Sequence, residues 1–354
     1  MSAVETFLNH VERFFRGEIL HTVSAFGRVC LVGEHCDYAR GMSVGLPLHH
    51  KITLQGSQRK DRTITFTSTI DQSAYSLCLT LDQISIPSDH LLRYSAAAVK
   101  VLQDQGYSLY GADIFLTSDL PMKKGLSSSA AVTVGTLKLF NEMFVLQIPQ
   151  DRLAELAYIA EHDILNIGCG RMDQIVSAYN SLVVMDYKES DKPKITPLPP
   201  AAKHIFILVC VPLVDKRDLP AILKASNKAY FHPERPEDYN FKNALDQLIP
   251  QQVVLPFIEA ISKGDIISAG RCLRRNQEIY DQYFVPVCAD FKAPLLYALL
   301  ALAKKHGSLG EKWTGAGGDG AFICLADSVE SRDNLQKAIE KRSPLDIHFV
   351  TATI

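Results

Sequence analysis

Three stretches carry residue types that could do chemistry. The first is Leu120-Pro121-Met122-Lys123-Lys124-Gly125-Leu126-Ser127-Ser128-Ser129-Ala130-Ala131. A proline opens it, a glycine turns it, and three serines enter an apolar run, Ala130 to Phe144, that predicts a helix. Such a loop aims backbone N–H groups and the positive end of a helix dipole at one point, where an anion such as a phosphate belongs. A serine N-cap after a glycine turn is the plainer alternative. Three serines and two alanines exceed what a cap needs, and no Gly-Lys-Ser/Thr stands at Walker A spacing. The second stretch is Gly33-Glu34-His35-Cys36-Asp37-Tyr38-Ala39-Arg40-Gly41, a polar loop between glycines. The third runs from Glu161 through Gly168-Cys169-Gly170-Arg171-Met172-Asp173-Gln174. Glu161 falls at the edge of a buried stripe set by Leu153, Leu156, Ala157, Ala160 and Ile164. A carboxylate there needs either a lysine or arginine partner or a cation to ligate. Asp173 sits near a helix start, where it could simply complement the helix N-terminus.

The elements that must position these residues follow from periodicity and turn chemistry. Strands are predicted at Leu20–Ala25 and Arg28–Val32 about a turn at Phe26-Gly27, then at Ser43–Leu48 and Lys51–Gln55. Arg62–Thr67 and Tyr75–Leu81 alternate as a hairpin. A helix over His90–Gln105 and a strand over Ala112–Leu116 lead into the serine loop. A second helix starts at Gln150-Asp151, with Asp151 as candidate N-cap. Ser181–Asp186 is a strand. Lys188–Pro200, with four prolines, reads as a boundary between lobes at 1–190 and 191–354. Beyond it come a buried strand over His204–Val214 and helices over Asn243–Ile261, Asp265–Tyr280 and Pro294–His306. Trp313-Thr314-Gly315-Ala316-Gly317-Gly318-Asp319-Gly320 leads into a strand at Ala321–Leu325. A helix near Ser331–Lys341 and a strand over Asp346–Thr351 close the chain. The order does not alternate strand with helix, which argues against a doubly wound fold and for α+β.

Composition bounds the function classes. The 354 residues are 47% hydrophobic and 21% charged, with a net charge of −2. That is ordinary for a globular protein and points to no nucleic-acid partner. The eight cysteines show no Cys-x-x-Cys pair. Cys210 and Cys324 read as core filling, which suits a reducing, cytoplasmic setting. Met1 to Glu18 reads as an amphipathic helix rather than a signal peptide. The apolar runs near Ile205–Val214 and Ala293–Ala303 are too short to span a membrane.

Five patches together resemble the GHMP small-molecule kinases, named for galactokinase, homoserine kinase, mevalonate kinase and phosphomevalonate kinase. The serine loop matches that family's P-x-x-x-G-L-x-S-S-A motif without a gap. Thr314–Ala321 is similar to its glycine-rich third motif. Gly27-Arg28-Val29 with Gly33-Glu34-His35-Cys36-Asp37-Tyr38 resembles the galactokinase signature G-R-V-N-L-I-G-E-H-T-D-Y. Ala160-Glu161-His162 and Cys169-Gly170-Arg171-Met172-Asp173-Gln174 also match galactokinases in spacing. Phe26, Cys30, Ala39-Arg40, Arg171 and Gly317-Gly318-Asp319-Gly320 depart from that pattern, and the usual Arg-x-x-His segment of the second lobe is not recognisable.

The resemblance implies a two-lobed GHMP kinase fold, a mixed α/β N-terminal lobe and an α+β sandwich C-terminal lobe, with the active site between them. It implies ATP and Mg²⁺, and transfer of the γ-phosphate to the anomeric hydroxyl of a monosaccharide, galactose-like first. Gly125, Leu126, Ser127, Ser128, Ser129 and Ala130 would hold the ATP phosphates, and Ser129 with Glu161 the Mg²⁺. Glu34, His35 and Asp37 would bind sugar hydroxyls. Asp173 would face the anomeric hydroxyl as base or orienting charge, with Arg28 beside it. Alternatives are L-arabinose, another small molecule, or a uronic acid, for which Arg40 or Arg171 could serve. A catalytically silent sugar sensor is the alternative of another class. Arg28, Ser129, Glu161 and Asp173 are all present, which favours an enzyme. The expected assembly is a monomer or weak homodimer.

Overall fold

The computed structural model describes residues 20–70, 75–88, 92–122, 124–190, 192–199, 201, 204–213 and 218–354. The predicted helix over Met1 to Glu18 lies outside them. The chain divides into two units. One comprises residues 1–27, 50–123 and 127–180; the other comprises 28–49, 124–126 and 181–354. The expected cut after residue 190 falls inside the second.

Two predicted pairs of strands are each one long strand. β1 is His21–Val32 and passes Phe26-Gly27 without a turn; β2 is Met42–Gln58. Both continue from the second unit into the first or back, so their halves serve different units. Ladder pairing outweighs a single weak turn signal.

In the first unit β3 (Thr63–Ser68) and β4 (Tyr75–Thr80) form the expected antiparallel hairpin. Helix α1 (Arg93–Asp104) follows, then β5 (Ala112–Ser118), which pairs antiparallel with Ile52–Gln58 of β2 and parallel with β3. Helix α2 (Ser128–Met143) carries mostly small and apolar residues and is buried nearly all round. Helix α3 (Gln150–Ile159) is capped at Pro149, so Asp151 lies in its first turn and is not the N-cap. It continues as a π-helical turn, Ala160–Ile164. Helix α4 is Met172–Tyr179.

In the second unit β6 (Val183–Asp186) pairs with Met42–Gly45 of β2 and with β7 (Lys194–Pro197). The proline-rich stretch read as a boundary between lobes therefore contains a strand, at the end of the strand order where proline is tolerated. β8 (Phe206–Pro212) comes next. Helices α5 (Leu219–Phe231), α6 (Pro236–Asn243), α7 (Leu255–Ser262), α8 (Ile266–Tyr283) and α9 (Pro294–Lys305) follow, with two π-helical turns joining α6 to α7. β9 (Glu311–Trp313), β10 (Phe322–Ala326), α10 (Val329–Arg342) and β11 (Ile347–Thr353) end the chain. β11, β8, β10 and β9 form an antiparallel four-stranded sheet in that order. Its centre is Ile207 to Val211 packed beside Phe322 to Leu325, with Cys210 and Cys324 buried as core. All eight cysteines are free. Among the described residues no helix is long and apolar enough to cross a membrane.

Candidate active site

The serine loop is shaped by two left-handed residues, Gly125 (φ 77°) and Ser127 (φ 59°). Glycine takes that conformation freely; serine is held in it. Ser127 occupies the N-cap position of α2, yet its side chain makes no capping bond there. Its Oγ donates instead to Oδ2 of Asp173, at 2.6 Å. The N-cap alternative thus fits the position of Ser127 but not its hydroxyl. No acidic residue of its own stands in the first turn of α2; the carboxylate at its start is Asp173, brought there by the fold.

Glu161 lies in the π-helical turn and is 2% exposed. Among the described residues no lysine or arginine pairs with it, contrary to the plainer expectation. Gln174 Nε2 donates to its Oε1 at 3.1 Å, and the Ser129 and Thr133 hydroxyls lie near enough to favour its charged form. Burial, together with the charge of Asp173, raises its pKa to about 7, against those three polar neighbours. A buried carboxylate with a serine hydroxyl beside it and no cationic partner is a donor set that fits a hard divalent cation keeping its other positions for water and phosphate oxygens. The first unit thus brings Ser127, Ser129, Glu161 and Asp173 into one cluster, with Gln174 and Thr133 as members that residue type alone did not single out.

Ser128 and Ala130 lie in α2 of the same unit, and the second unit holds Gly125, Leu126, Arg28, Glu34, His35 and Asp37. Arg28 is buried; its Nη1 donates to the carbonyl of Gly125 at 3.0 Å and its backbone N–H to that of Leu126 at 3.1 Å. These bonds fix the entrance of the serine loop. Gly33 (φ 87°) starts the polar loop, and a Cβ there would lie 2.2 Å from the Met42 carbonyl oxygen.

Glu34 and His35 are placed inside the unit rather than on its surface. Glu34 is fully buried, with Lys312 donating to its Oε1 and the Tyr280 hydroxyl to its Oε2. The Glu34 backbone N–H donates to the same hydroxyl at 2.9 Å. His35, left-handed at φ 63°, shares 2.7 Å with the Tyr38 hydroxyl through Nδ1 and 3.2 Å with the Ala316 carbonyl through Nε2. Phe284, Phe291 and Trp313 meet its ring edge-on. Burial lowers its pKa to about 4. These contacts tie the polar loop to the glycine-rich stretch after β9, and they occupy the side chains expected to meet sugar hydroxyls. Asp37, in a single 3₁₀ turn over Cys36–Tyr38, is half-buried. Arg40 is exposed; its backbone N–H donates to Tyr230 Oη and Asp246 Oδ1.

Residues 93–181 match the GHMP kinases N terminal domain, and residues 257–344 match the GHMP kinases C terminal, together half of the chain. The chain belongs to the GHMP kinases. This kinase is 25% identical over 350 residues to galactokinase of Actinobacillus pleuropneumoniae, covering 90% of this chain and 88% of that protein. It is 28% identical over 367 residues to galactokinase of Roseiflexus sp. (strain RS-1), covering 92% and 90%. Among solved structures, galactokinase of Lactococcus lactis complexed with galactose superposes at a TM-score of 0.78 with 16% identity, covering 97% of each chain. Mevalonate kinase of Methanococcus jannaschii superposes at 0.74 with 19% identity, covering 95% and 99%. What the kinase shares with both structures is the fold, and that fold is the two-lobed α+β one expected.

Proposed function

We propose that this kinase transfers the γ-phosphate of ATP to the anomeric hydroxyl of a monosaccharide, galactose-like in the first instance. The observation that carries the reading is the bond from Ser127 to Asp173. It ties a carboxylate to the loop that would cradle the phosphates, which is where an acceptor hydroxyl must arrive. Backbone N–H groups of Gly125 to Ala130 would hold the phosphate oxygens. Ser129 and Glu161 would hold Mg²⁺, which when bound offsets charge on the phosphates. Asp173 would orient the acceptor hydroxyl and take its proton. Arg28, anchored on Gly125, would offset charge on the phosphoryl group. Asp37 would accept hydrogen bonds from sugar hydroxyls, and Glu34 and His35 would shape the loop that presents it. The full-length likeness to galactokinases supports a sugar acceptor, and the Asp37-Tyr38 pair supports it over mevalonate.

Of the two arginines considered for a uronic acid, Arg171 is engaged by Glu155. The test is ADP release across a panel of monosaccharides, uronic acids and mevalonate with Mg·ATP, followed by NMR of the product. Phosphorus coupled to the anomeric proton supports the proposal. Phosphate on a primary hydroxyl, or activity on mevalonate alone, refutes it.

A further inference from the structure

Arg171 departs from the galactokinase pattern, and the first unit shows what it does. Its Nη1 donates to Oε2 of Glu155, and both side chains are largely buried, at 15% and 17% exposed. Its guanidinium lies 3.8 Å from the centroid of the Tyr158 ring. Tyr158 in turn stacks on His162, with centroids 4.8 Å apart and planes at 21°. Glu155, Tyr158 and His162 recur at helical spacing along α3 and its π-helical turn, so one face of that helix grips one guanidinium. A planar, permanently charged group suits both the carboxylate and the ring, which an ammonium would not.

The grip lands at a sensitive place. Arg171 occupies the N-cap position of α4. Two residues on, Asp173 accepts from Ser127; three residues on, Gln174 donates to Glu161. Gln174 is 1% exposed, and its Nε2 also reaches Cys169 Sγ at 3.8 Å. The start of α4 is thus held twice, to α3 by Arg171 and to the π-helical turn that continues it by Gln174, with Asp173 between them in sequence. The preceding Gly168-Cys169-Gly170 turn offers little rigidity of its own.

We propose that Arg171 is a positioning residue, clamped by Glu155 and Tyr158, that sets the place of Asp173 and of the Gln174–Glu161 pair. The inference rests on the proposed roles of Asp173 and Glu161. It makes Arg171 a support for the reacting groups rather than a contact for substrate.

The test compares Arg171→Leu, Arg171→Lys, Tyr158→Leu and Tyr158→Phe in the full chain. Activity is read as kcat and KM for both substrates. Calorimetric titration of a non-hydrolysable ATP analogue at varied Mg²⁺ gives a second readout that needs no acceptor. Arg171→Leu should lower kcat about tenfold or more and raise the Mg²⁺ needed for half-maximal nucleotide binding, the range for losing an outer support of a site. Acceptor KM should stay within about threefold. Arg171→Lys should recover part of the loss, since it keeps the charge but not the planar stack. Tyr158→Phe keeps the ring and should match wild type; Tyr158→Leu should resemble Arg171→Leu in kind, and it carries the test if Arg171→Leu does not fold. Unchanged kcat and Mg²⁺ dependence in both leucine variants overturns the proposal. So does a rise in acceptor KM with normal kcat, which would make Arg171 a substrate contact. If wild type phosphorylates no sugar, the proposed function fails while the nucleotide titration still judges the clamp.

Discussion

Removing the ammonium of Lys312 strands a charge in the core of the second unit. Lys312 and Glu34 are both fully buried. Lys312 also donates to the Trp313 carbonyl at 2.5 Å and lies 5.7 Å from the Tyr280 ring centroid. Lys312→Met fills most of the volume but leaves the Glu34 carboxylate with the Tyr280 hydroxyl alone. Breaking one side of a buried pair costs about 3–5 kcal/mol. For a chain of 354 residues the unfolding entropy is large, so this corresponds to a Tm lowered by roughly 4–7 °C. Adding Glu34→Gln removes the stranded charge and keeps an acceptor for Tyr280. The double variant should regain more than half of the loss. Thermal unfolding without ligands, near neutral pH, is the assay. A single variant as stable as wild type, or a double variant no better than the single, would refute the bracing role of Glu34. The first of those results, combined with weakened sugar binding, would return Glu34 to a direct contact with substrate.

Three further outcomes follow from the same geometry. Glu161→Gln should raise the Mg²⁺ concentration for half activity and leave sugar affinity nearly unchanged; an unaltered Mg²⁺ dependence makes Glu161 structural. Asp37→Ala should weaken sugar binding by about 1–3 kcal/mol, the scale of a hydrogen bond to a charged group, while ATP binding holds; an equal loss for ATP places the loop at the nucleotide. His35 stays neutral in the fold because burial lowers its pKa from 6.5 to about 4, whereas the unfolded chain binds its proton near pH 6.5. Its contribution is therefore complete above about pH 6.5 and is lost as pH falls to about 4, a change of about 3 kcal/mol. Acid unfolding of His35→Gln should show a shallower slope across that window, and an identical slope would remove His35 as the cause.

Local signals located the elements that carry their own start marks. Asp265 caps α8 through Ser268 as expected of its type, and α2 follows the serine run. α5 was missed although Asp218 caps it and Pro220 stands in its first turn, because its polar neighbours obscure the apolar stripe. β7 was hidden by prolines that an edge strand tolerates. The candidate site was legible as residue types at motif spacing, but its partners were not. Lys312 meets Glu34 across 278 positions, and no local pattern announces such a pair. Gln174 was quoted within a motif, yet only the fold shows it donating to Glu161 in place of a lysine or arginine. Arg171 stood out as a departure, and its meaning depended on Glu155 and Tyr158 lying on the next helix.

The most direct test of the central claim is kcat for Asp173→Asn. The substitution is nearly isosteric and leaves an oxygen for Ser127 Oγ, so the fold and both KM values should change little. It removes the charge that would orient the acceptor and take its proton. The account predicts a kcat lowered at least about a hundredfold, as for other acid–base groups, with unchanged thermal stability. A variant that folds normally and turns over at a near-normal rate would contradict it.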